Sequence, residues 1–132
     1  MKYMLDTNIC IYIIKKNPKK VLEKFTLFSL GDIGISSITA AELMHGVEKS
    51  THVEKNKAAL EEFLLPLEIA AFDENAAQHY GHIRAHLERA GTPIGPLDLI
   101  IAAHALHLKA VLITNNQKEF SRVPQLKIEN WA

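Results

Sequence analysis

Asp6, Glu42 and Asp98 lie far apart in the chain, yet each stands where the sequence passes into a helix-like pattern. A fourth acid, Glu119, closes the polar stretch Thr114-Asn115-Asn116-Gln117-Lys118. Carboxylates gathered within ~4–6 Å raise one another's pKa and resist ionising together. No Arg or Lys adjoins Asp6, Glu42 or Asp98 in sequence to offset that repulsion. A divalent cation offsets it, and Mg²⁺ takes oxygen ligands, typically one or two carboxylates with waters and substrate phosphate. Such a centre suits phosphodiester hydrolysis, because it lowers the pKa of a water and steadies the leaving oxygen. Thr7, Asn8, Thr114, Asn115 and Asn116 place hydroxyls and amides beside these acids, suited to fixing loops and touching phosphate.

Each acid taken singly also has a structural role open to it. Asp6 and Asp98 suit helix N-caps, and Glu42, three residues after Thr39, completes a capping box. Their joint use depends on the elements that carry them. Residues 3–5 read as a buried strand, followed by a helix that Asp6 caps and the Asn17-Pro18 step ends. A second helix is expected from residue 18 to about residue 28, with Pro18 in its first turn. Residues 33–35 form a second strand, then Ser36-Ser37 leads to a helix opening at Thr39.

Residues 52–65 carry Val53, Ala59, Leu60, Phe63 and Leu64 on a helical period, and Pro66 stops them. A third strand is expected over 68–72, then a long helix capped by Asp73 and closed by Gly91. The rigid loop 92–96 delivers Asp98 to the start of an apolar helix over 99–108. Residues 111–114 read as a fourth strand and 126–128 as a fifth.

This alternation predicts an α/β fold of one domain over 1–132, three-layered α/β/α around a mainly parallel sheet of four to five strands. Strand C-termini and the helix N-termini that follow them then share one rim. Open α/β sheets bind ligands on that rim, where the strand order reverses. The three acids and the 114–120 segment are all expected there.

The formal net charge is zero, so no global basic field marks a nucleic-acid partner. Lys15, Lys16, Lys19 and Lys20 form one local cluster and Lys118, Arg122 and Lys127 another, suited to an RNA backbone or to a solvated face. A single cysteine, Cys10, excludes an internal disulfide and fits a reducing, cytoplasmic setting. The apolar run after Lys2 is short and broken by Asp6, so no signal peptide is expected. No stretch approaches the ~20 apolar residues of a membrane span.

His79, His82 and His86 share one helix face, and the last two have the spacing of a zinc pair. Ile83 stands where a metalloprotease motif has glutamate, and no third ligand is specified, so a partly exposed or interface face is expected. His104 and His107 lie on an otherwise apolar helix and suit packing or dimer contacts. The chain has neither a glycine-rich phosphate loop nor a Gly-x-Ser-x-Gly elbow.

Four segments in order carry a resemblance to the PIN-domain ribonucleases, most closely the VapC toxins of bacterial toxin–antitoxin pairs. They are Met4-Leu5-Asp6-Thr7-Asn8, Ser36-Ser37-Ile38-Thr39-Ala40-Ala41-Glu42-Leu43, the run from Pro93 through Asp98 to Ala105, and the segment from Thr114 to Phe120. The resemblance spans essentially the whole chain. It implies a PIN fold with Asp6, Glu42 and Asp98 as an acidic triad for Mg²⁺ or Mn²⁺, Asp6 and Asp98 being the direct ligands. It also implies a homodimer, inhibition by a VapB-type antitoxin, and single-stranded or loop RNA as substrate, tRNA anticodon loops being typical.

There is one departure from the family pattern. Many PIN proteins have aspartate where this chain has Asn116, so the fourth acid is either absent or supplied by Glu119. The expected activity is a metal-dependent endoribonuclease. A receiver-like signalling domain is the rival reading, since it also uses an acidic Mg²⁺ pocket. It needs an acidic pair after strand one and an acceptor aspartate after a middle strand, where this chain has Asp6-Thr7 and Ser36-Ser37. A non-catalytic interaction subunit with the same fold is the third.

Overall fold

The first strand, β1 (Tyr3–Leu5), sends alternate side chains to opposite faces, and this sets the layering of the molecule. Met4 joins a buried cluster with Ile83, Leu87, Leu99 and Phe120, whereas Leu5 joins a second cluster with Ile9, Ile35 and Leu43. Strand β4 (Val111–Ile113) repeats the division, with Leu112 on the first face and Ile113 on the second. In the computed structural model, which describes residues 1–132, these strands join β2 (Ile33–Ser36), β3 (Glu68–Ala70) and β5 (Ile128–Glu129). The five form one wholly parallel sheet in the order β3-β2-β1-β4-β5.

Helices α1 (Thr7–Lys15), α2 (Lys19–Thr26), α3 (Ser37–Glu48) and α4 (Val53–Leu64) supply the cluster around Leu5. Helices α5 (Glu74–Arg89) and α6 (Pro96–Leu108) supply the other, with Phe120 from the short α7 (Gln117–Phe120). The result is the expected α/β/α sandwich. Each fully buried Leu, Ile or Phe in it contributes about 1.5–3 kcal/mol of transfer free energy. No helix is long and apolar enough to cross a membrane.

Glycine is required at position 34 in β2. A Cβ there would lie 2.7 Å from the Glu68 carbonyl oxygen of the neighbouring strand and would collide with the Met1 side chain. Gly91 takes a left-handed φ of 72° just past α5, as the end of that helix requires. Asp73 caps the other end, accepting from the Ala76 amide at 3.0 Å.

Two helix starts differ from the sequence reading, and both differences free a carboxylate. Helix α3 begins at Ser37, not Thr39, because Ser36 is its N-cap and accepts from the Ile38 amide at 3.1 Å. A buried contact selects Ser36 over the other hydroxyls nearby, as its Oγ also lies 2.8 Å from His104 Nδ1 on α6. Thr39 is thus buried inside the first turn and makes no capping box with Glu42. Likewise, α6 begins at Pro96 with Gly95 as N-cap, so Asp98 sits in the first turn and does not cap. Smaller differences of boundary occur at α2, α4, β2, β3, β4 and β5.

Candidate active site

The chain starts in the middle of the sheet, runs outward to β3 and then returns to β4 on the other side of β1. The reversal puts the C-terminal ends of β1 and β4 side by side. Asp6 follows the first of these strands and Thr114 the second. Parallel α/β sheets open a crevice at such a point, and both residues are buried in its floor.

Asp6 is the N-cap of α1 and accepts from the Thr7 amide through Oδ1 at 2.8 Å. Its Oδ2 accepts from the Thr114 hydroxyl, also at 2.8 Å. The Thr7 hydroxyl donates to Glu42 Oε1 at 3.1 Å, which ties α3 to the start of α1. On the other side, Thr114 Oγ1 accepts from the Asn116 amide at 3.0 Å. The Asn116 side chain then donates to Asp98 Oδ2 at 3.2 Å and to Glu119 Oε2 at 3.4 Å. One continuous hydrogen-bonded path therefore joins Glu42, Thr7, Asp6, Thr114, Asn116, Asp98 and Glu119.

Asn8 and Asn115 stand apart from that path. Asn8 is exposed, and the Asn115 amide donates instead to the Tyr12 hydroxyl on α1 at 2.8 Å. Neither Tyr12 nor the Ser36–His104 contact carries any signal in the sequence, since each depends on a partner distant along the chain.

The electrostatics of the cluster are those of acids short of cations. Burial raises the Asp6 carboxyl, against the lowering effect of its hydrogen bonds with Thr114 and Thr7. Asp98 is pushed up to about 7, first by burial, then by its hydrogen bond with Glu119 and by the charges of Asp6, Glu119 and Glu42. Glu119 moves the opposite way, held down by that bond with Asp98 and by Asn116, with Arg122 contributing. Asp98 and Glu119 therefore titrate as a linked pair, the one pushed up and the other held down by the contact between them. Burial and the Asp6 charge push the Cys10 thiol well above its ordinary range, so it is inert packing.

None of the four ion pairs in the molecule involves Asp6, Glu42, Asp98 or Glu119. The unmet need of the cluster is positive charge, and its donors are hard oxygens, which fits a hard divalent cation. No three acidic or imidazole side chains are gathered tightly enough to enclose an ion by themselves. That spacing suits a cation held by one or two carboxylates, with water and substrate completing its shell.

The PIN-domain family model matches residues 3–126 of this chain. Among curated relatives, the tRNA(fMet)-specific endonuclease VapC of Salmonella typhimurium is 48% identical over 132 residues, covering 100% of this chain and 99% of the relative. Ribonuclease VapC2 of Haemophilus influenzae is 47% identical over 132 residues, again covering 100% and 99%. The crystal structure of DNA-bound VapBC from Salmonella typhimurium matches with a TM-score of 0.94 at 48% identity, over 100% of this chain and 99% of that one. The chain belongs to the PIN-domain family, within its VapC ribonucleases.

Proposed function

We propose that this chain is a divalent-metal-dependent endoribonuclease and the toxin of a toxin–antitoxin pair, with Mg²⁺ as its cation and Mn²⁺ able to substitute. The hydrogen-bonded path joining four carboxylates at the strand-order reversal carries the reading, and full-length relatives named as VapC nucleases support it. Asp6 and Asp98 hold the cation, which when bound supplies Lewis acidity and screens the phosphate charge. Glu42 orients the attacking water, with its own carboxylate steadied by the Thr7 hydroxyl. Asn116 fixes the rotamers of Asp98 and Glu119 together, and Glu119 serves as the fourth acid in place of an aspartate at position 116.

The substrate is RNA in a loop, because an unstacked strand can bend its phosphate into a recessed site where a duplex cannot. The name of the Salmonella relative points further, to a tRNA and to the initiator tRNA in particular. The exposed cluster Lys15, Lys16, Lys19 and Lys20 meets the RNA backbone. The chain acts in the cytoplasm as a homodimer and is silenced by a VapB-type antitoxin, as the VapBC complexes among its structural relatives suggest.

The test is to sequence the 5′ ends of RNA after brief induction, with Asp6→Asn as the control. Discrete cuts in one tRNA, absent from the control and stopped by excess EDTA in vitro, are expected. Undiminished cleavage by folded Asp6→Asn protein, or in EDTA, overturns the mechanism.

A further inference from the structure

A second concave site lies on the far side of the molecule from the acidic rim. It is a cavity of about 710 Å³ between one face of α5, the end of α6 and residues 124–127. His79, His82 and His86 line it from α5, with Lys109 and Lys127 facing them. Lys109 precedes β4 and Lys127 precedes β5, so the cavity opens at the N-terminal ends of strands whose C-terminal ends flank Thr114. The two sites share no lining residue.

The chemistry of this lining is one-sided. No carboxylate lines the cavity, and neither lysine belongs to any of the four ion pairs of the molecule. A chain with a formal net charge of zero therefore places two uncompensated ammonium groups in one hollow. The imidazoles add directed donors to that charge. His79 Nδ1 lies 3.0 Å from the Asn75 carbonyl oxygen, which can only accept, so that nitrogen is a donor committed within the helix and the directed contacts fall to His82 and His86.

The histidines are not gathered as a metal site, which sets cations aside and leaves anions. Among anions, phosphoryl groups suit lysine point charges and several converging N–H donors. The volume lies in the range of small-ligand sites, large enough for linked phosphates.

We propose that this cavity binds phosphoryl-bearing anions, either free in solution or as successive phosphates of a nucleic-acid strand. Lys109 and Lys127 supply the charge, and His82 and His86 supply hydrogen bonds from the facing helix. The site is independent of the nuclease reading, because it uses none of the residues of the acidic rim.

The experiment titrates the full chain, in EDTA, with inorganic pyrophosphate while the imidazole resonances are followed by NMR. His82 and His86 are expected to shift saturably. The double variant Lys109→Asn/Lys127→Gln should weaken binding about tenfold or more, as expected when charge-assisted contacts are lost. Asparagine is chosen because Lys109 has a φ of 56°, which asparagine tolerates. A short single-stranded ribo-oligonucleotide that competes with pyrophosphate assigns the site to a nucleic-acid strand; failure to compete assigns it to a free anion. The proposal is overturned if these resonances do not move, or if a folded double variant binds pyrophosphate as the parent does. EDTA keeps the acidic rim free of metal throughout, so neither result bears on RNA cleavage.

Discussion

The Thr114 hydroxyl donates to Asp6 Oδ2 at 2.8 Å, closing a contact across 108 residues of sequence at the junction of β1 and β4. Both residues are buried, so the bond has no water to replace it. Thr114→Val keeps the shape but removes the donor, and it also leaves the Asn116 amide without its acceptor. The expected cost is about 1–3 kcal/mol of stability in urea unfolding, the usual range for a buried polar group left unpaired. Cleavage should fall as well, because Asp6 loses the bond that lowers its pKa and holds its rotamer. Thr114→Ser should recover most of both. Parent-like unfolding and cleavage in Thr114→Val would show the bond to be idle.

Glu119 is the acid whose place in the site the sequence left open, and its bond to Asn116 at 3.4 Å is the longest in the path. Glu119→Gln removes a charge that helps to raise Asp98, so the Asp98 carboxyl should move back toward its ordinary range. If Glu119 supports the ligands, cleavage drops about tenfold or more, the usual cost of losing an outer-shell partner of a metal site. Cleavage equal to the parent's removes Glu119 from the site.

The contrast between acids and their supports shows what the sequence carried. The convergence of Asp6, Glu42 and Asp98 is legible because a strand–helix alternation in a parallel sheet sends such positions to one rim. Asp6 also caps α1, as its place ahead of an apolar helical pattern predicts. The start of α6 lies earlier than the sequence reading because Pro96 takes its first helical position, whereas the start of α3 is settled by a tertiary contact. Ser36 wins through its buried contact with His104, 68 residues away, and no local pattern encodes that. The same reason separates Asn116 from Asn115. Adjacent amides of the same type diverge, one to Asp98 and the other to Tyr12, according to which wall of the crevice each faces.

On the proposed function, protons compete with the cation for Asp98. Its folded carboxyl titrates near 7, while the unfolded value is about 4. Between those pH values the folded state binds more protons than the unfolded chain, so metal-free stability falls as pH rises from about 4 to about 7. Metal binding requires the ionised form and runs the other way. Mn²⁺ affinity by isothermal titration should weaken about tenfold for each pH unit below 7. The rise in melting temperature on adding Mg²⁺ should likewise be larger at about pH 8 than at about pH 6. Affinity that stays flat across this range would mean that Asp98 does not ligate the cation.

His104 acts against Asp98 in part of the same window. It is fully buried, and burial holds its imidazole below the ordinary histidine range. The unfolded chain therefore takes up this proton first, at about pH 6.5, so stability contributed by neutral His104 is lost as pH falls further. In the metal-free parent this loss opposes the gain from protonating Asp98. His104→Gln cannot titrate, so its stability should climb more steeply than the parent's on acidification from about pH 7.5 to about pH 5.5. The variant should also lose about 1–3 kcal/mol overall, because the contact with Ser36 that fixes the cap of α3 is disturbed. Urea unfolding at three pH values in EDTA measures both effects at once. A pH slope identical to the parent's would place the opposing titration on some other group.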